Sequence, residues 1–172
     1  MALGKLVQVA TNTVTSATAE VSLQGITTDD VYMVTLLGVT PDTDNTSLYC
    51  YVGINGTKQT GSQYDGAFKR LKTNTTFSND SFTNASTGWI TAHSLGTATS
   101  EKGNSIIYCY NFNNSSEYSF LTFENNVLNS SAICEGRQGG GVYTVAESHN
   151  SINFLFIGGN IASGTFTLYK VI

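Results

Sequence analysis

His93 and His149 are the only two side chains in this 172-residue sequence that titrate near neutral pH without help from their surroundings. The run Glu147-Ser148-His149 sets a carboxylate and an imidazole two positions apart. On a strand that spacing puts both on one face. Such a pair becomes catalytic only when a serine nucleophile joins it. No G-x-S-x-G elbow occurs in the chain, so a polar pair at a strand end is expected. Oxygen ligands of the kind calcium takes gather at Asp42, Asp44 and Asn45 in "PDTDN". The rest of an EF-hand loop is missing, and Asp and Asn are ordinary turn formers. Three cysteines and two histidines without C-x-x-C or H-x-x-x-H spacing do not read as a zinc site. No catalytic residue, metal or cofactor is expected.

The cysteines carry a second pattern. Tyr-Cys-Tyr occurs twice, at Tyr49-Cys50-Tyr51 and Tyr108-Cys109-Tyr110. On strands, each thiol faces away from its tyrosine neighbours. Cys50 and Cys109 are therefore expected as small core residues, with a bridge between them left open; Cys134 is the odd one out. Tyr49, Tyr51, Tyr108 and Tyr110 then fall on outer faces. With Trp89 they could form a platform for a neighbouring subunit, where tyrosine is enriched, or for a sugar.

The elements that must position these residues are strands. Apolar residues alternate or run together in Lys5–Ala10, Val14–Leu23, Val31–Val39, Ser47–Ile54, Gly88–Leu95, Ser105–Tyr110, Tyr118–Phe123, Val127–Cys134, Val142–Ala146, Ile152–Ile157 and Thr165–Val171. No amphipathic helix stands out. Asn55-Gly56 is a tight-turn signal, and "GRQGGG" (Gly136–Gly141) reads as the most flexible loop. Residues 57–87 read as a long loop excursion. The chain ends "INFLFIGGNIASGTFTLYKVI", expected as a hairpin of Ile152–Ile157 and Thr165–Val171 that closes the core. The expectation is a single all-β domain over residues 1–172, an antiparallel sandwich of about 8–11 strands.

Composition narrows the role. Charged residues are 12% of the chain, about half the usual share, and Ser, Thr and Asn supply the polarity instead. A neutral polar surface suits meeting other copies, where charge would repel or need desolvation. The net charge is −4, and the one basic cluster is Lys69, Arg70 and Lys72. A nucleic-acid binder would show a basic stripe, so none is expected as a partner. No run approaches the ~18 apolar residues a membrane span needs. The opening "MALGKLVQVATNTVTSATA" is broken by Gln8, Thr11, Asn12 and Thr13 and does not read as a signal peptide. The N-x-S/T triplets, Asn74-Thr75-Thr76 among them, follow from composition and imply no glycosylation.

The C-terminal run resembles a segment of tailed-bacteriophage virion proteins, an apolar strand followed by G-N-I-x-x-G-T-x-x-L-Y. It falls here on Gly159, Asn160, Ile161, Gly164, Thr165, Leu168 and Tyr169. "DDVYMVTLLGVTPDTDNTSLYCYV" is similar to the early strands of the same proteins. The resemblance covers Asp30–Val52 and Ile152–Val171. It implies a jelly-roll-like sandwich with structural turns at Gly159, Asn160 and Gly164, and it assigns no catalytic or ligand-binding residue. The expected role is a non-enzymatic structural protein on the outside of the virion, made in the host cytoplasm. It would be a capsid decoration or knob, or a small fibre or tail component. Expected partners are copies of itself, as in a trimer, and capsid or tail proteins. The alternative is a receptor-binding tip that recognises a host surface glycan through residues 57–87, Gly136–Gly141 or the tyrosines.

Overall fold

Thirteen strands make up the computed structural model, which describes residues 4–75 and 77–172. Met1–Leu3, where the leader-like stretch begins, and Thr76 of the Asn74 triplet lie outside the described residues. The strands are β1 (Leu6–Val14), β2 (Val21–Gln24), β3 (Tyr32–Pro41), β4 (Thr46–Ile54), β5 (Thr57–Lys58), β6 (Tyr64–Lys72) and β7 (Ser78–Ala85), then β8 (Trp89–Leu95), β9 (Gly103–Tyr110), β10 (Ser119–Leu128), β11 (Cys134–Tyr143), β12 (Ser151–Phe156) and β13 (Ile161–Val171). Two antiparallel sheets form a sandwich. The large sheet has the order β1-β13-β3-β9-β10-β11-β6-β7, and the small sheet β2-β12-β4-β5, with β8 also on β4.

The apolar alternation explains the core. Val34 and Leu36 on β3, Ile107 and Cys109 on β9, and Phe166 and Leu168 on β13 point inward and are buried. They meet Leu48, Cys50 and Val52 of β4 and Ile152, Phe154 and Phe156 of β12. Phe154 and Phe166 touch across the layers, ring centres 5.4 Å apart.

The chain crosses between sheets at β1–β2, β2–β3, β3–β4, β5–β6, β7–β8, β8–β9, β11–β12 and β12–β13. Expected as a hairpin, β12 and β13 instead form an arch. β12 pairs with β2 and β4, and β13 with β1 and β3. Each strand thus buries its apolar side against the other rather than bonding edge to edge. Gly158 (φ +95°) opens the crossing, and Gly164 (φ +140°) sits at a register shift of β13, packed on Val39. Gly159 has no left-handed backbone; it lies close against Asp42 and Thr43.

Two expected loops are strands. Residues 57–87 hold β5, β6 and β7. β6 hides from an apolar pattern because two of its inward residues, Arg70 and Lys72, are cations; β7 is a polar edge with Phe82 as its large apolar residue. Gly136–Gly141 lies inside β11, between β10 and β6. Its glycines mark close packing: a Cβ at Gly139 would collide with Ala67 and Phe68, and one at Gly141 with Trp89. Expected as one strand, Val14–Leu23 breaks after Val14, and Val127–Cys134 divides between β10 and β11.

Candidate functional site

The outer face of the large sheet is the broadest surface that the strand pattern leaves without a covering layer. Its register brings Met33, Tyr108, Thr122, Gly140, Ala67 and Ser81 into one row across six strands. The next row runs Thr35, Ile106, Glu124, Gln138, Lys69 and Asn79. Large apolar side chains stand out on it, with Leu37 67%, Ile106 46%, Phe120 43% and Tyr108 38% exposed. Toward the β1 edge the face becomes a threonine ladder, with Thr11 on Thr167 at 3.1 Å and Thr13 on Thr165 at 3.3 Å. Because Gly140 has no side chain and Ala67 a small one, the face dips along β11. A hollow of about 400 Å³ lies against Ile106, Tyr108, Thr122, Glu124 and Gln138. The Gln138 amide donates to Glu124 at its rim. On the far side of Thr122 a second hollow of about 490 Å³ is lined by Ala67, Phe120, Gly140 and Val142.

The tyrosine platform does not assemble as one surface. Tyr108 and Tyr110 lie on the large sheet, Tyr110 within 3.4 Å of Thr122 Oγ1. Tyr49 and Tyr51 are on β4 of the small sheet, on the other side of the molecule. Tyr51 is buried edge-on to Tyr64, and Trp89 is buried edge-on to Tyr64 at 4.7 Å. The Trp89 indole N–H donates to the Asp65 carbonyl at 2.9 Å. Trp89 is therefore a core anchor that closes the sandwich where β8 meets β11.

Structure adds the serine that the sequence lacked. Ser119 Oγ lies 2.8 Å from His149 Nδ1, and His149 Nε2 lies 3.2 Å from Glu147 Oε1. With Glu147 accepting from Nε2–H, Nδ1 is left to accept from the Ser119 hydroxyl. Ser119 and His149 are fully buried, the imidazole edge-on to Tyr143 and Phe112. Burial holds the His149 pKa below its ordinary value, opposed by Glu147. A substrate has no approach to that hydroxyl, so the trio braces the β10 start against the β12 approach.

One charged cluster escaped the sequence reading. Glu135 is 1% exposed and Arg137 2%. Arg137 Nε donates to Glu135 Oε1 at 2.9 Å, while Arg70 and Lys72 each approach the carboxylate to 3.4 Å and His93 to 3.6 Å. Arg137 also lies over the Phe68 ring, 4.9 Å from its centre. Its two terminal nitrogens have no hydrogen-bond partner among the described residues. Arg70 pairs with Asp80 at 3.2 Å. Burial, joined by the neighbouring Arg137 charge, pushes the His93 pKa down to about 4. Burial works to raise Glu135, but the Arg137 hydrogen bond and the other cations outweigh it and leave its pKa lowered. Two members of the basic cluster, Arg70 and Lys72, thus turn inward, and Lys69 alone faces out. The signal that could have found this was an acid and three bases on alternate positions of two strands, Arg70, Lys72, Glu135 and Arg137.

Asp42 holds the β12–β13 crossing. It accepts from the Asn160 backbone N–H at 2.7 Å and from its side-chain amide at 2.8 Å. Those bonds lower its pKa. Asn45 accepts from Ser130. Among the described residues, no three His, Cys, Asp or Glu side chains gather as a metal site would need. Cys50 and Cys109 are buried free thiols, pushed up in pKa by burial, and Cys134 is an exposed free thiol. No protein-family model matches the chain, and no curated protein matches it.

Proposed function

We propose that this chain is a non-enzymatic structural protein on the outside of a tailed-phage particle. It is a capsid decoration or knob, or a small fibre or tail component, and it works by binding copies of itself and a capsid or tail protein. The observation that carries the reading is the outer face of the large sheet: Leu37, Ile106, Tyr108 and Phe120 exposed among threonines, with few charges. Interface cores are depleted of charge and rich in aromatic residues, and exposed apolar patches mark association sites. The resemblance of Asp30–Val52 and Ile152–Val171 to virion proteins supplies the context. The side-by-side arches β1–β2, β13–β12, β3–β4 and β9–β8 support a jelly-roll-like winding. The test is to label this protein on intact particles and image the label. Label on the exterior is expected; label on no particle overturns the reading.

A second reading, a receptor-binding tip for a host glycan, is favoured by the hollow beside Tyr108. An aromatic face there stands next to the Glu124 carboxylate and Gln138 amide, the groups that stack on and hydrogen-bond to a sugar. Binding of host surface polysaccharide that Tyr108→Ala abolishes would favour it; no binding at millimolar oligosaccharide would remove it.

A further inference from the structure

We propose that two copies of this chain join antiparallel through the Ala10–Val14 half of β1, about a two-fold axis at Asn12. This deepens the reading above, on which the chain binds copies of itself, by naming the contact and its symmetry.

Among the described residues, β1 is an edge of the large sheet and pairs with β13 alone. An unpaired edge offers a row of N–H and C=O groups that another strand satisfies best. Natural edges are blunted by charge, proline or bulges. β1 carries neither charge nor proline between Leu6 and Val14. Its register shift lies between Gln8 and Ala10, where Val9 packs against Gly25. From Ala10 to Val14 the pairing is regular. The opposite edge, β7, is blunted by a charge, Asp80, which pairs with Arg70.

The free half of β1 reads A-T-N-T-V, the same chemistry in both directions. Antiparallel pairing about Asn12 sets Ala10 opposite Val14, Thr11 opposite Thr13, and Asn12 opposite Asn12. A primary amide both donates and accepts, so two Asn12 side chains complement each other. Thr–Thr cross-strand pairs are favourable, and no like charges meet. The two-fold axis stands perpendicular to the joined sheet, so both outer faces look the same way. The threonine row of Thr35, Thr167 and Thr11 then continues into Thr13 and Thr165 of the second copy. Sixteen strands would present one unbroken outer face, with the apolar patch of each copy left free for the particle.

The test uses the full chain. In solution, wild type is expected at twice its 18.4 kDa monomer mass by sedimentation equilibrium. Asn12→Lys, which sets two cations on the axis, should raise the dimer dissociation constant several-fold with unchanged thermal unfolding. Asn12→Cys in a Cys134→Ser background should cross-link into dimers under mild oxidation, and Gln8→Cys in the same background should not. A monomer at all concentrations, a trimer mass, or Asn12→Cys that never cross-links overturns the proposal. Particle labelling separates the two claims. A particle-bound protein without β1 pairing sinks this inference alone, and a β1 dimer found on no particle sinks the proposed function alone.

Discussion

The two halves of the large sheet are held inward by different chemistry. Strands β1, β13, β3 and β9 lie under the small sheet, and their inward residues are aliphatic and aromatic: Val14, Phe166, Leu168, Val34, Leu36 and Ile107. Strands β10, β11, β6 and β7 make up the other half, where β8 packs on β10 and β11 and its Trp89 on Tyr64 of β6. There Leu121, Phe123 and Val127 of β10 still point inward, but they are joined by Tyr64, Phe68, Tyr143, bare glycines, and the ion cluster on Glu135. Hydrophobic burial needs only area. A buried carboxylate needs its partners in place, and gains little over apolar packing even then. The first half should therefore respond to lost volume, and the second to lost geometry.

The largest expected effect removes a central strand. Truncation after Gly158 deletes β13 and strips both β1 and β3 of a neighbour. The loss should exceed ~5 kcal/mol, the scale of total domain stability, so no folded soluble protein is expected. A truncated chain that melts cooperatively near the full-length Tm would erase the distinction between the halves.

Next come matched core changes. Phe166→Ala should cost about 3–5 kcal/mol in urea unfolding, through lost transfer energy and a cavity. Glu135→Gln should cost about 3 kcal/mol for a different reason, by leaving Arg137, Arg70 and Lys72 unbalanced. The comparison sharpens with the pair Glu135→Leu and Arg137→Met. Combined, they should cost far less than the sum of the singles, because charges and partners leave together. Additive losses would show that the cluster is not acting as a unit.

This contrast also explains what could be read in the sequence. Val31–Val39, Ser47–Ile54 and Ile152–Ile157 were legible because burial under a second sheet writes an apolar pattern. The same rule put Cys50 and Cys109 in the core, where both are buried. It failed on β6 and β11, where Arg70, Lys72, Glu135, Arg137 and three consecutive glycines stand where apolar residues were sought. Asn125, between the strands expected at Tyr118–Phe123 and Val127–Cys134, stays inside β10, and its amide donates to the Thr91 carbonyl at 2.7 Å. The arch of β12 and β13 was illegible locally, since a glycine-rich turn serves a hairpin or a crossing equally well. Which sheet each strand joins is decided by the distant strands β2, β4, β1 and β3. The outer-face patch was half legible: Tyr108 and Tyr110 belong to it, while Tyr49, Tyr51 and Trp89 do not.

Smaller effects test the geometry of the second half. Gly141→Ala should cost about 2 kcal/mol, since its methyl group would displace the Trp89 indole that bonds to Asp65. Gly136→Ala meets only the Asn125 carbonyl, at 3.4 Å, and should stay within about 0.5 kcal/mol. Equal Tm shifts for the two would mean that the glycines do not mark close packing.

Acid should weaken the same region. His93 falls from 6.5 in the unfolded chain to about 4 in the fold. Below pH 6.5 the unfolded state takes a proton that the folded state refuses. Stability is then full above that pH and declines as pH drops toward 4. Buried His149 acts in the same direction. The combined loss should be about 2 kcal/mol after allowance for partial solvent access. His93→Gln should flatten the slope of urea stability against pH. A wild-type profile already flat from pH 6.5 to 4 would contradict this.

The smallest effect on stability should be the largest on assembly. Ile106→Ser, Tyr108→Ser and Phe120→Ser together change exposed positions of the outer face, with little effect expected on Tm. The deciding measurement is how much of this triple variant enters particles when it competes with wild type in the same infected cells. A folded variant largely absent from particles is the predicted result. Incorporation at the wild-type level, with Tm unchanged, would contradict the claim that this face is the working surface.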